Sequence, residues 1–208
     1  MNLTANLSCV PNAQTAHTNE DAATERAYNL ACYNSKKVLE LCVGPSLATL
    51  EDAYKKQDIE VTGNDIDKRW QDFYPKGKWI IGNCMDIPYH EFDTVVFAPP
   101  LSKGCTGKRE DSLMINQVTP AYRKFVYDAQ YRGKLLVLVL PGRSLSTKED
   151  RKQLYSLLSY CQDRSFLKCY DLVPLKCGKR GIVKYVDIYL DFRWAKGDVP
   201  TGAGWGWD

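Results

Sequence analysis

Hydrophobic positions along this chain fall into short unbroken runs, separated by stretches in which they recur every three or four residues. The first run, Val38-Leu39-Glu40-Leu41-Cys42-Val43, carries one acid and breaks at Gly44-Pro45-Ser46. That pattern predicts a buried strand over Lys37–Cys42, a tight loop and a helix start. Ser46 is the expected cap of the helix, with Leu47, Leu50 and Tyr54 as its apolar face. Ahead of the strand, Ala23, Ala27, Leu30 and Ala31 repeat at helical spacing behind Asn19, and the acids after Asn19 suit a positive helix end. A leading helix over Glu20–Asn34 is therefore expected, while residues 1–19 lack any period and read as a flexible arm or lid.

Downstream the runs continue. Ile59–Asn64 predicts a second strand closed by Asp65 and Asp67, and an amphipathic piece over Lys68–Tyr74 precedes a third strand over Lys78–Gly82. The link over 83–91 is too short for a full helix. Phe92–Phe97 is a fourth strand that Ala98-Pro99-Pro100 must end, because proline donates nothing to a ladder. Leu101–Gln117 has no period and reads as a long functional loop. Pro120–Gln130 returns to helical spacing. Lys134–Leu140 is the most apolar strand of all and is expected to stop at Pro141-Gly142. Thr147 then caps a helix with Leu154, Leu157, Leu158 and Cys161 on one face, and Phe166–Leu175 and Ile182–Phe192 form an antiparallel hairpin joined by Lys176–Gly181.

Strands alternating with helices, then a hairpin, predict an α/β fold. Its sheet is mostly parallel, seven-stranded and covered by helices on both faces, with the C-terminal hairpin antiparallel. Residues 20–197 make one domain and 198–208 a tail carrying Trp205 and Trp207.

Composition narrows the class without naming a chemistry. At 208 residues, 44% hydrophobic and 25% charged, the chain fits a single globular domain and excludes disordered and fibrous classes. Eight cysteines without a C-x-x-C pair lack zinc-site spacing and read as reduced thiols. No secretion signal is seen, and no apolar run approaches the roughly 20 residues needed to span a bilayer, so a cytoplasmic chain without membrane contact is expected.

In an open parallel sheet, ligands bind beyond the carboxyl ends of the strands. Those ends carry Glu40 to Ser46, then Asp65, Asp86, Ala98 to Leu101, and Pro141 to Ser144. Three acids at successive strand ends suit a ligand offering an ammonium group, a ribose diol and an adenine amine, since carboxylates accept hydrogen bonds from all three. A metal cluster of Asp65, Asp67 and Asp86 is disfavoured by their separate strand ends.

At these same positions the sequence resembles the class I S-adenosylmethionine-dependent methyltransferases. VLELCVGPS is similar to their first motif, VTGNDID to the acidic end of the second strand, IIGNCMDIP to the third motif and FDTVVFAPPL to the fourth. The resemblance implies a Rossmann-like fold and S-adenosyl-L-methionine as cofactor. It implies that Glu40 lies near the cofactor's amino-acid portion, that Gly44 admits its close approach, that Asp65 holds the ribose and that Asp86 contacts adenine. Cys42 and Ser46 stand in the same loop where the family commonly has glycine. Ala98-Pro99-Pro100-Leu101 is distantly similar to the acceptor-side sequence of amino-group nucleic-acid methyltransferases, with alanine and leucine replacing its polar and aromatic members.

The remaining candidates sit on predicted loops. His90, Cys105, Tyr89, Ser102 and Arg143 could act as base or anion contact. Basic residues gather on the same rim: Lys103, Lys108, Arg109, Arg143, Lys148, Lys176, Lys179 and Arg180. Of these, Lys103, Lys108, Arg109 and Arg143 are the expected substrate contacts, with either terminal tryptophan available for stacking. The expected activity is methyl transfer to a nucleic acid or nucleotide-like acceptor. A catalytically altered accessory protein, an enzyme that cleaves S-adenosylmethionine and a small-molecule methyltransferase remain as alternatives.

Overall fold

The computed structural model describes residues 18, 20–98, 133–141, 169–177 and 182–193, with single positions 125, 129, 148, 152, 155 and 156. Helix α1 (Glu20–Cys32) buries Ala22, Ala23, Arg26, Ala27 and Leu30, the three-and-four spacing that gives a helix one inward face. Strand β1 (Lys37–Leu41) follows, then a 3-10 turn at Gly44–Ser46 that runs directly into α2 (Leu47–Lys55). Leu47, Leu50, Ala53 and Tyr54 are the buried face of α2. The chain continues through β2 (Glu60–Asp65), the short α3 (Arg69–Phe73), β3 (Trp79–Ile81), β4 (Thr94–Phe97), β5 (Leu135–Pro141), β6 (Cys169–Cys177) and β7 (Ile182–Asp191).

These strands form one seven-stranded sheet in the order β3-β2-β1-β4-β5-β7-β6. The first five are mutually parallel, and β7 runs antiparallel to both β5 and β6. On one face, Val38, Val96, Leu135, Val137, Val139 and Tyr189 pack against the apolar sides of α1 and α2. On the other, Leu39, Leu41, Val95, Phe97, Leu136, Leu138 and Ile188 pack with Phe125 and Ala129, both at helical positions. Every residue from Leu135 to Leu140 is buried. A strand covered on both faces needs apolar residues at every position, which is why this segment reads as an unbroken run.

Strand edges depart from expectation in small ways. β5 does not stop before Pro141: the proline is its last residue, opposite Tyr185 on β7. The end of a strand is where a missing N–H disrupts the ladder least. β6 continues through Lys176 to Cys177, past a register shift at Leu175/Lys176, so Lys176 belongs to the strand rather than to the connection. The link after β3 contains a single 3-10 turn at Cys84–Asp86, capped by the Asn83 side chain, which accepts from the Met85 N–H at 3.1 Å.

Candidate functional site

β1 has β2 on one side and β4 on the other, so the order of strands reverses at its carboxyl end and opens a crevice between diverging loops. The loop that leaves β1 there is laced to the end of β2. Val43 N–H donates to the Asn64 carbonyl at 2.9 Å, and Gly44 N–H donates to Asp65 Oδ2 at 2.9 Å. Asp65 Oδ1 accepts from Asp67 N–H, also at 2.9 Å. Burial pushes the Asp65 carboxyl up from its ordinary value, opposed by these N–H groups.

Two glycines make this contact possible. Gly44 has φ +54°, a conformation that side chains resist, and a Cβ there would meet only Asp65 Oδ2, at 4.0 Å, so the space above it is open. Gly63, in the middle of β2, would bring a Cβ to 2.8 Å from Leu47 and 2.9 Å from Val43. Its bare backbone is the seat on which the loop and the first turn of α2 rest. Cys42 takes φ +58° without the benefit of being glycine, a strained backbone at the hinge of the loop.

The end of β3 is tied in by Asn64, which is fully buried. Its Nδ2 donates to the carbonyls of Ile80 and Gly82, each at 2.9 Å, while Gly82 N–H donates to the Asp65 carbonyl at 3.0 Å. Asp86 is exposed on the turn that follows. Next to Asp65, Ile66 is 75% exposed, an apolar side chain held in the open at the crevice edge. Gly44 and Asp65 are thus in direct contact, Cys42 and Ser46 flank Gly44 in the chain, and Asp86 lies on the turn that follows β3.

Two expectations are corrected. Ser46 occupies the residue before α2 but makes no side-chain cap; the preceding turn already uses helical backbone angles there. Its Oγ instead accepts from Thr18 N–H at 3.0 Å, fastening the segment ahead of α1 to the loop. Glu40 does not reach the crevice. On β1 it shares the face of Val38, under α1 and α2, and is 1% exposed. Tyr54 Oη donates a short hydrogen bond to Glu40 Oε1, and Arg26 Nη1 lies 3.6 Å from the same oxygen.

Sequence reasoning missed the centre of this cluster. Arg26 is buried to 1% exposure and forks onto Asp187, with Nε to Oδ2 at 2.6 Å and Nη2 to Oδ1 at 2.9 Å. Burial pushes the Glu40 carboxyl up, against the pull of Arg26 and the Tyr54 hydroxyl. Burial, with the Glu40 charge beside it, holds the Tyr54 phenol well above its ordinary value, so it stays a donor. The available signal was an arginine between Ala23 and Leu30 on an otherwise apolar helix face, and an acid in the middle of an apolar strand.

Ala98 is half-buried, packs on the α1/α2 side and extends the ladder by donating to the Leu41 carbonyl at 3.4 Å. Tyr89, a loop candidate in sequence, is a core residue 5% exposed, its ring 6.2 Å from that of Phe125. His90 is exposed. Pro99, Pro100, Leu101, Ser102, Lys103, Cys105, Lys108, Arg109, Arg143, Lys179, Arg180, Trp205 and Trp207 lie outside the described residues. Among the described residues no cluster of His, Cys, Asp or Glu is placed to hold a metal, and no helix is long and apolar enough to cross a membrane.

No family model and no curated protein matches the chain. Solved structures do. The N-terminal domain of human METTL16, in complex with SAH, superposes with TM-score 0.59 at 10% identity, covering 88% of this chain and 74% of that one. The plantazolicin methyltransferase BpumL, also with SAH, gives 0.54 at 11% identity over 83% and 82%. A protein of Pyrococcus horikoshii assigned as an RNA methyltransferase gives 0.51 at 17% identity over 82% and 83%. At these identities the likeness establishes the fold alone, a Rossmann-like α/β sheet that these three proteins share.

Proposed function

We propose that this chain binds S-adenosyl-L-methionine in the crevice beyond β1 and β2 and transfers its methyl group to a nucleic acid or nucleotide-like acceptor. The observation that carries the reading is the contact between Gly44 N–H and Asp65 at the point where strand order reverses. The residues present fit such a ligand. Gly44 leaves open space for close approach, and each Asp65 oxygen accepts an N–H while keeping a second lone pair for a ribose hydroxyl. Ile66 offers an exposed apolar surface beside that carboxylate, suited to a flat base. SAH accompanies two of the structural relatives, METTL16 and BpumL, which supports a ligand of this kind.

In this reading Cys42, Gly44 and Ser46 shape the loop, Asp65 holds the ribose and Asp86 contacts adenine. Glu40 supports the loop from the core rather than touching the ligand. The bound cofactor supplies an electrophilic methyl on sulfur. The chain aligns an acceptor nucleophile with it from the side of Ala98, Pro99, Pro100 and Leu101, and the acceptor's proton leaves to a base or to solvent. Lys103, Lys108, Arg109 and Arg143 are the acceptor contacts. The RNA assignment of one relative supports a nucleic-acid acceptor. A reducing, cytoplasmic setting completes the proposal, supported by the thiols of Cys32, Cys42 and Cys84.

A second reading, a cofactor-binding accessory protein, is favoured by Ala98, which offers the acceptor no side-chain hydrogen bond. Calorimetry with S-adenosylmethionine is the first test. Wild-type chain should bind, and Asp65→Ala should bind at least about tenfold more weakly, the effect of roughly one lost hydrogen bond to a charged group. No heat at millimolar ligand would sink both readings. Labelled-methyl transfer to RNA, DNA and small-molecule pools then separates transferase from accessory protein.

A further inference from the structure

We infer that the surface flanking the end of β5 is a landing site for single-stranded nucleic acid, made by the β6–β7 ribbon and by an exposed helix face bearing Lys148, Lys152 and Tyr155. The inference deepens the proposed function by naming the acceptor class and where it is held, and it rests on that reading. Its first support is a mismatch in strand length. β7 pairs with β5 only as far as Tyr185, opposite Pro141, yet the β6–β7 ladder continues through Lys176 with Val183 and Cys177 with Ile182. Ile182, Val183 and Lys184 thus run past the last residue of β5, by about 10 Å at the usual rise per residue. Because β5 is parallel to β4, this ribbon stands on the same sheet edge as the crevice. It lies three strand spacings from β1, about 14 Å away. Lys176 and Lys184 are among its residues.

The second support is the helix that follows β5. Lys148, Lys152 and Tyr155 are helical and exposed, and spacings of four and three put them on one face. Tyr155 is 64% exposed, a large ring presented to solvent one turn beyond Lys152. β7 is antiparallel to both β5 and β6, so β5 and β6 are parallel and the crossover that carries Lys148 leaves from the edge at which β5 ends, the edge from which the ribbon emerges. Lysines suit phosphates, and an exposed ring needs a base free to leave its neighbours, which a single strand offers and a duplex does not.

The test is fluorescence anisotropy of the full chain with labelled single-stranded RNA and DNA oligonucleotides and a duplex, at 50 and 200 mM salt. Lys148→Glu/Lys152→Glu should weaken single-strand binding at least about tenfold and reduce the salt slope by about two. Tyr155→Ala should weaken it about tenfold, as for the loss of one stacked base. Lys55→Glu/Lys56→Glu, an equal charge reversal on exposed lysines where α2 ends at the opposite edge, should stay within about twofold of wild type. Equal weakening by both lysine pairs, wild-type binding by the Lys148/Lys152 and Tyr155 variants, or preference for duplex would each overturn the inference. Calorimetry with S-adenosylmethionine on the same variants should match wild type. A wild-type chain that binds oligonucleotide through this face but not the cofactor would defeat the proposed function and leave the landing site standing.

Discussion

Arg26 on α1 and Asp187 on β7 face each other through two hydrogen bonds in the interior, with neither side chain more than 2% exposed. Glu40 of β1 completes the cluster on the same guanidinium. The arrangement ties the leading helix to both the first strand and the last paired one, across β4 and β5. Arg26 is the one cation between two acids, so removing it leaves carboxylates facing each other away from water with no opposite charge.

Arg26→Met should therefore lower unfolding stability by about 3–5 kcal/mol. Adding Asp187→Leu should recover part of that loss, since the double variant replaces the fork by apolar groups of similar size. Urea unfolding of the two single variants and the double gives the coupling. A double variant whose loss equals the sum of the singles would mean that the two side chains act independently.

Glu40 makes the same cluster sensitive to pH. In the folded chain, burial raises its carboxyl above the ordinary 4.5, with Arg26 and Tyr54 pulling the other way. A group whose folded pKa is the higher one is protonated more readily when folded. Its stabilising contribution is then complete below pH 4.5 and is lost as pH rises through the folded value. Glu40→Gln removes that component. The stability of wild type minus that of the variant should fall as pH is raised from 4.5 and then level off. Urea unfolding at stepped pH measures it, and a difference that rises with pH would reverse the assigned sign.

Cys42 isolates the backbone demand of the crevice loop. At φ +58° a β-branched residue is penalised beyond other side chains, while glycine is not. Cys42→Val should be less stable than Cys42→Gly by about 1–2 kcal/mol. Thermal or chemical unfolding of the pair decides it; a Val variant as stable as the Gly variant would show that the loop relaxes out of the left-handed conformation.

What could be read from the chain follows from which interactions are local. The run from Val38 to Val43, the break at Gly44 and the face Leu47, Leu50 and Tyr54 specify strand, loop and helix through neighbours in sequence, so β1 and α2 appear within a residue or two of expectation. Asp65 was legible for the same reason, as the acid that closes an apolar strand. Arg26 and Asp187 are partners across 161 residues, and no local pattern pairs them. Glu40 shows the ambiguity most clearly. One acid inside an apolar strand suits either a ligand at the strand end or an ion pair in the core, and only strand order with the position of α1 decides between them. Ser46 has the right residue type and position for a cap, yet a proline-containing turn before it had already set helical angles, leaving the hydroxyl for Thr18.

That last contact yields a final expectation. Thr18 N–H donates to Ser46 Oγ across 28 residues, so the segment just ahead of α1 is fastened to the same loop that offers Gly44 to the crevice. Ser46→Ala removes the acceptor and should cost about 1 kcal/mol where the bond is partly shielded from water. The sharper readout is local. Hydrogen exchange at the Thr18 amide should accelerate toward the rate of an open chain, while amides of β1 and β2, held in their ladder, keep their protection. Acceleration confined to Thr18 means that Ser46 holds the segment. Unchanged protection at Thr18 would show that another acceptor does, and would remove the link between the leading segment and the loop.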